Sequence, residues 1–203
     1  MTIRYHQAMF TPAVRETQRI AYGAERHVSP RPGSDRLTED EAVFISARDS
    51  FYLATVNEEG WPYVQHRGGP AGFLRVLDAD TLAFADYEGN RQLLTMGHLR
   101  RNPRVALILM DYPQQSRLKL IGHARIEPAE AHPDIVAQIP APEAGATATR
   151  VVFVDLVAFD WNCTQHITPR YTVEEIERFA APLRARIAEL EARSAEPPQR
   201  VST

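Results

Sequence analysis

The sequence predicts a mainly β domain with flanking helices, α+β overall, built on a small antiparallel barrel of five or six strands. Three observations predict it. Between residues 51 and 127, runs rich in apolar and β-branched residues are short and separated by turn sequences. A single helical stretch interrupts them, and capped helical stretches stand at both ends. The alternation of strand and helix that builds a parallel dinucleotide-binding sheet is missing. So is Gly-x-Gly-x-x-Gly: Gly68-Gly69-Pro70-Ala71-Gly72 follows a strand but opens no helix.

Each element follows from local chemistry. Thr11-Pro12 places an N-cap and a first-turn proline before a helix that runs to about Tyr22, ahead of Gly23. Residues 28–34, with Pro30, Pro32 and Gly33, read as a linker. Thr38 and Glu41 match a capping box for a helix from Glu39 to about Arg48. Residues 51–56 and 61–67 form strands around the turn Asn57-Glu58-Glu59-Gly60, and 73–77 with 81–85 form a second pair around Asp78-Ala79-Asp80. Residues 90–101 are expected to be a helix stopped by Asn102-Pro103, followed by strands at 104–111 and 117–127. The Ala- and Pro-rich segment 128–149 reads as a mobile loop with one helical turn. Residues 150–167 return to strand. Thr172 and Glu175 then cap a helix to about Arg193, whose stripe Ile176, Phe179, Leu183, Ile187 and Leu190 is expected to be buried. The expected organisation is an N-terminal helical extension and linker over 1–37, a barrel domain over 38–171, a helix over 172–193 and a flexible tail over 194–203.

Composition narrows the function classes. The 203-residue chain carries a net charge of −3, which with no basic stripe argues against nucleic acid. The lone Cys163 excludes an internal disulfide and a Cys-rich zinc site. None of the seven histidines forms a His-x-x-x-His or Glu-x-x-His pair, so no metal is expected. The apolar runs at 105–110 and 151–154 are too short to span a membrane, and the N-terminus lacks a signal-peptide core. A soluble cytoplasmic protein is expected. Of 23 cationic residues only Lys119 is a lysine, and the other 22 are arginines. Codon bias accounts for such a total, whereas a few positions can still serve as forked grips on phosphate or carboxylate.

Three polar clusters interrupt strand-like sequence. Gln65-His66-Arg67-Gly68-Gly69 ends a strand with a forked cation beside two glycines, suited to an anion; an exposed Gly-rich turn is the plainer reading. Gly89-Asn90-Arg91-Gln92 opens the internal helix, and its backbone donors with Arg91 in the first turn favour phosphate; a simple Asn90 cap is the alternative. Residues 161–170 gather Trp161, Gln165, His166 and Arg170, a set that suits a planar heteroaromatic ring, or equally a core tryptophan beside a structural histidine.

These segments in this order, with Phe51-Tyr52-Leu53-Ala54-Thr55-Val56, Gly60-Trp61-Pro62 and Asn102-Pro103-Arg104-Val105-Ala106, resemble the pyridoxamine 5′-phosphate oxidase-like, FMN-binding split-barrel family across residues 38–171. The resemblance implies a six-stranded Greek-key split barrel and a homodimer holding FMN at the subunit interface. It implies flavin contacts from Gln65, His66, Arg67 and Gly68, phosphate contacts from Arg67 with Asn90, Arg91 and Gln92, a ring contact from Arg117, and a flavin and substrate wall from Trp161, Gln165 and Arg170. The implied activity is an FMN-dependent oxidoreductase on a small molecule, with an electron donor such as NAD(P)H and with His66 or His166 as the acid–base candidates. The alternative is a non-catalytic flavin or haem carrier, with His66, His123 or His166 as axial ligands. Pyridoxamine phosphate itself is not the expected substrate. The family's Lys after the Arg-bearing strand is replaced by the run to Gly72, and residues 128–149 contain no Tyr or Ser.

Overall fold

A computed structural model describes residues 2–89, 91–161 and 165–195. The predicted fold class is met: a mainly antiparallel sheet with flanking helices. The strands are β1 Ser50–Val56, β2 Pro62–Gly68, β3 Arg75–Val76, β4 Thr81–Tyr87, β5 Arg104–Asp111, β6 Ser116–Pro128 and β7 Ala148–Trp161. The helices are α1 Ile3–Met9, α2 Pro12–Tyr22, α3 Glu39–Ser46, α4 Leu94–Leu99, α5 Pro133–Gln138 and α6 Val173–Ala195. The seven strands run β2-β1-β5-β6-β7-β4-β3, so β2 and β3 are free edges and the barrel is not closed by backbone pairing.

Alternation fixes which face is inside. In β1, Phe51, Leu53 and Thr55 are buried while their neighbours are half-exposed. Phe51 and Leu53 meet Phe84 of β4, Leu107 and Leu109 of β5, and Leu118 and Leu120 of β6 in one core. Each large apolar side chain buried there contributes roughly 1.5–3 kcal/mol. The β6–β7 ladder shifts register between Ile121 and Gly122. A Cβ on Gly122 would lie 2.5 Å from the backbone oxygen of Asp155, so only glycine allows the strands this close.

The capping chemistry is where the sequence placed it. The Thr11 hydroxyl accepts from Val14 N–H, and Gly23 ends α2 at φ 73°. Thr38 and Glu41 form the reciprocal box of α3. Thr172 N–H donates to Glu175 Oε2 at 2.8 Å, and Glu175 N–H donates back to Thr172 Oγ1 at 3.2 Å.

Four expectations need correction. The helix expected over 90–101 is confined to Leu94–Leu99, because Arg91 at φ 62° and Leu93 at φ 52° take left-handed conformations that no right-handed helix admits. Arg91 therefore lies in a loop and not in a first helical turn. The 128–149 segment is more structured than one turn: a 3₁₀ turn at Ala129–Ala131 leads into α5, and Ile139 is buried in the core and anchors it. The last strand ends at Trp161, short of residue 167. The α6 stripe is not buried: Phe179 is 70% and Leu183 66% exposed, because among the described residues no other element packs extensively on α6. The seven-residue α1 was not anticipated; it covers β7, where Thr2 Oγ1 donates to the Phe159 carbonyl.

Candidate functional site

The period of β2 builds the site. Tyr63, Gln65 and Arg67 alternate onto the inner face, and His66 turns to the outer one. Opposite them, the end of β4, the loop into α4 and the first turn of α4 supply Asp86, Tyr87, Glu88, Arg91, Gln92, Thr95 and Met96. Together with Arg150 these side chains line a cavity of about 360 Å³.

Its floor is a closed polar network. Arg67 Nη1 donates to Asp86 Oδ1 at 3.1 Å, and Arg67 Nη2 donates to Thr95 Oγ1 at 3.3 Å. The Thr95 hydroxyl donates in turn to Gln65 Oε1 at 3.2 Å. Asp86 Oδ2 accepts from Arg150 Nε at 3.1 Å. Asp86 and Thr95 are both buried, so one carboxylate in a poorly solvated position holds two guanidinium groups. Tyr87 borders the cavity, and burial pushes its phenol above the usual range, so it stays neutral at ordinary pH.

Of the expected site residues, Gln65, Arg67, Arg91 and Gln92 come together in this cavity. Gly68 closes β2 next to Arg67 and borders a second cavity of about 130 Å³ behind it. Asn90 lies outside the described residues, as do residues 162–164 with Cys163. His66 sits on the outer sheet face, edge-on to Tyr52 at 5.5 Å. Arg117 is half-buried on β6, opposite Met110, and its Nε is buried without a hydrogen-bond partner. The Trp161 indole donates to Glu41 Oε1 at 2.7 Å and meets the Phe44 ring edge-on at 4.7 Å. Gln165, His166 and Arg170 are exposed, and the Arg170 guanidinium lies over the Tyr112 ring at 5.1 Å. None of Arg117, Trp161, Gln165 or Arg170 lines the cavity that holds Arg67.

The outer face adds residues that sequence reasoning left unassigned. Tyr112 is hydrogen-bonded to Tyr52, which pushes its phenol up. Gln115 Nε2 donates to the Ile167 carbonyl at 2.6 Å, pinning the segment after β7 onto the β5–β6 turn. Asp86 and Arg150 were also missed as site residues. The alternation of β4 and the opening of β7 gave positions for them but no partner. Among the described residues, no group of three or more His, Cys, Asp or Glu side chains is placed to hold a metal ion, and no helix is long and apolar enough to cross a membrane.

Fold and site together define an open antiparallel barrel with an arginine-lined cleft between an edge strand and the β4–α4 loop. The family model described as pyridoxamine 5′-phosphate oxidase matches residues 37–161, and the chain belongs to that family. Among solved structures, HupZ of Group A Streptococcus is similar at 14% identity and TM-score 0.49, covering 66% of this chain and 99% of its own. General Stress Protein 26 of Bacillus anthracis matches at 16% identity and TM-score 0.42, with 59% and 88% covered. A Clostridium acetobutylicum protein related to general stress protein 26, of the pyridoxinephosphate oxidase family, matches at 14% identity and TM-score 0.45, with 68% and 94% covered. No curated protein matches the chain.

Proposed function

We propose that the chain is a cytoplasmic FMN-binding flavoprotein, an oxidoreductase acting on a small molecule as a homodimer. The observation that carries this reading is the convergence of Arg67, Arg91 and Arg150 with Gln65, Gln92 and Thr95 in one cavity of about 360 Å³. The residues present suit FMN in both of its halves. Guanidinium groups suit a phosphate, and Tyr63, Tyr87, Leu93, Leu94 and Met96 give apolar and aromatic surface of the kind a planar ring packs against. Bound FMN supplies two-electron redox chemistry at its ring, and the protein's part is to bind, orient and shield it.

The second group of expected residues, Arg117, Trp161, Gln165 and Arg170, lies off this cavity, which fits a site completed by a second copy. The outer face of the sheet supports that arrangement: Val64 is 60% exposed, and Ala54, Val56, Ala106 and Ile108 continue an apolar surface across β1 and β5. His66 and His166 are both exposed, so either could exchange a proton with a substrate. Pyridoxamine phosphate remains outside this reading. Residues 133–138 form a short helix anchored by the following Ile139, and the segment 128–149 offers no Tyr or Ser to a substrate phosphate.

The test is the absorption spectrum and mass of the ligand released from freshly purified protein, followed by addition of NADH or NADPH. Flavin that bleaches and recovers in air supports the oxidoreductase. Flavin that stays oxidised makes the chain a carrier, and a Soret band makes the ligand haem. Replacing Arg67 and Arg91 together with alanine is expected to lower FMN retention, and unchanged affinity would sink the phosphate assignment.

A further inference from the structure

Arg67 is the residue expected to grip the phosphate, yet its guanidinium is already committed. Two of its three nitrogens bond Asp86 and Thr95, and the third, Nε, is buried without a partner. Its partners are fixed in turn, with Asp86 6% and Thr95 3% exposed. Arg67 is thus part of the wall of the cavity more than a free hand within it.

Arg150 is arranged differently. It enters from the start of β7, outside the three polar segments that the sequence marked. Its Nε donates to Asp86 Oδ2, which fixes the plane of the guanidinium. Neither terminal nitrogen has a hydrogen-bond partner among the described residues, the side chain is 32% exposed, and it lines the cavity. A guanidinium held through Nε presents the two terminal nitrogens as its remaining edge, which is the geometry that takes two oxygens of a phosphate. Asp86 and Glu88 offset two of the three arginine charges around the cavity, leaving it net positive.

We infer that Arg150, aimed by Asp86, is the phosphate-gripping arginine of this site, and that Arg67 is a positioning residue holding Asp86 and Thr95 in place. The ligand class is a phosphate monoester dianion. The inference rests on the reading of this cavity as the phosphate end of a flavin site, and the experiment separates the two.

The full-length protein is melted with and without inorganic phosphate, and FMN and riboflavin affinities are compared for wild type, Arg150→Gln, Arg150→Lys and Arg67→Lys. Phosphate is expected to raise the melting temperature of the wild type and to lose that effect in Arg150→Gln. The preference for FMN over riboflavin should fall roughly ten- to hundredfold in Arg150→Gln, the scale of one charge-assisted fork. Arg150→Lys keeps a cation beside Asp86, and so the fold, but loses the fork and should fall between. Arg67→Lys, which cannot hold Asp86 and Thr95 together, is expected to melt lower and to weaken FMN and riboflavin in parallel, whereas Arg150→Gln weakens FMN selectively. Retention of the phosphate shift and of the FMN preference in both Arg150 variants overturns the inference, as does a wild type indifferent to phosphate. A wild type that responds to phosphate but binds neither flavin removes the FMN reading and leaves the anion site standing.

Discussion

Replacing Glu41 with glutamine probes how the barrel holds its C-terminal strand end. Glu41 is 6% exposed. Its Oε2 accepts from Thr38 N–H at 2.9 Å and from the Thr38 hydroxyl at 2.5 Å, and its Oε1 accepts from the Trp161 indole at 2.7 Å. Three donors converge on two oxygens, and a glutamine has one. With the amide oxygen toward Thr38, the NH₂ group faces the indole N–H; flipped, it faces the Thr38 backbone N–H, which cannot turn away. Either way a buried donor loses its acceptor, which costs about 1–3 kcal/mol. The bonds that survive lose their charge assistance, about half their strength. The total is about 2–4 kcal/mol. For a chain of this size each kcal/mol moves Tm by roughly 2–4 °C, so the variant should melt roughly 4–16 °C lower at pH 7.

The pH dependence gives this prediction a second arm. Burial pushes the Glu41 carboxyl up, but hydrogen bonds from the Thr38 hydroxyl, the Trp161 indole and the Thr38 backbone outweigh it and hold the carboxyl below its ordinary value. A carboxyl depressed in the folded state binds fewer protons there than in the unfolded chain. Its stabilisation is complete above the unfolded value of about 4.3 and is lost as pH falls through the lower folded value. The gap between wild type and Glu41→Gln should therefore be constant near neutrality and shrink below about pH 4. Thermal melts followed by circular dichroism in steps from pH 7 to pH 3 measure both arms. An unchanged Tm at pH 7, or a gap that persists on acidification, refutes the reasoning.

Three further outcomes are expected. Asp86→Ala strands the guanidinium groups of Arg67 and Arg150 and should cost about 3–5 kcal/mol in denaturant titration; wild-type stability would show the pair to be solvated rather than buried. Gly122→Ala drives a methyl to 2.5 Å from the Asp155 oxygen and should cost about 1–3 kcal/mol or more in the same titration, since backbone and not a flexible side chain must move. Leu183→Glu on the exposed α6 stripe should change stability by less than about 0.5 kcal/mol, and a large fall in Tm would mean that the stripe is covered in solution.

What the sequence conveyed of the fold was what is decided within a few residues. A capping box needs only an i, i+3 pair, so Thr38–Glu41 and Thr172–Glu175 could be read directly. A two-residue period sorted β1 into its buried and half-exposed sides. The failures sit where a longer-range or backbone constraint wins. Nothing in the side chains of Arg91 or Leu93 announces a left-handed φ, so α4 looked longer than it is. The α6 stripe has the spacing of a buried face, but amphipathicity says only that a face can be covered, not by what. The N-cap residue of α1 makes no side-chain capping bond, and this helix lies against β7, which its own sequence cannot reveal.

The candidate site divides along the same line. Strand period alone turns Gln65 and Arg67 inward and His66 outward, so half of the cleft follows from seven residues of β2. The other half depends on one carboxylate whose partners lie 19 and 64 residues away. Arg67 looked like the anion-binding arginine because it stands beside two glycines, a local cue. Asp86 engages Arg67 from β4 and leaves the open fork to Arg150 on β7, which is the ground for the assignment proposed above. In a chain with 22 arginines, adjacency to glycine is a weak selector, because it says nothing of which guanidinium is already bonded. Selection falls to which guanidinium the buried acid leaves with free nitrogens, and that is a property of strand pairing.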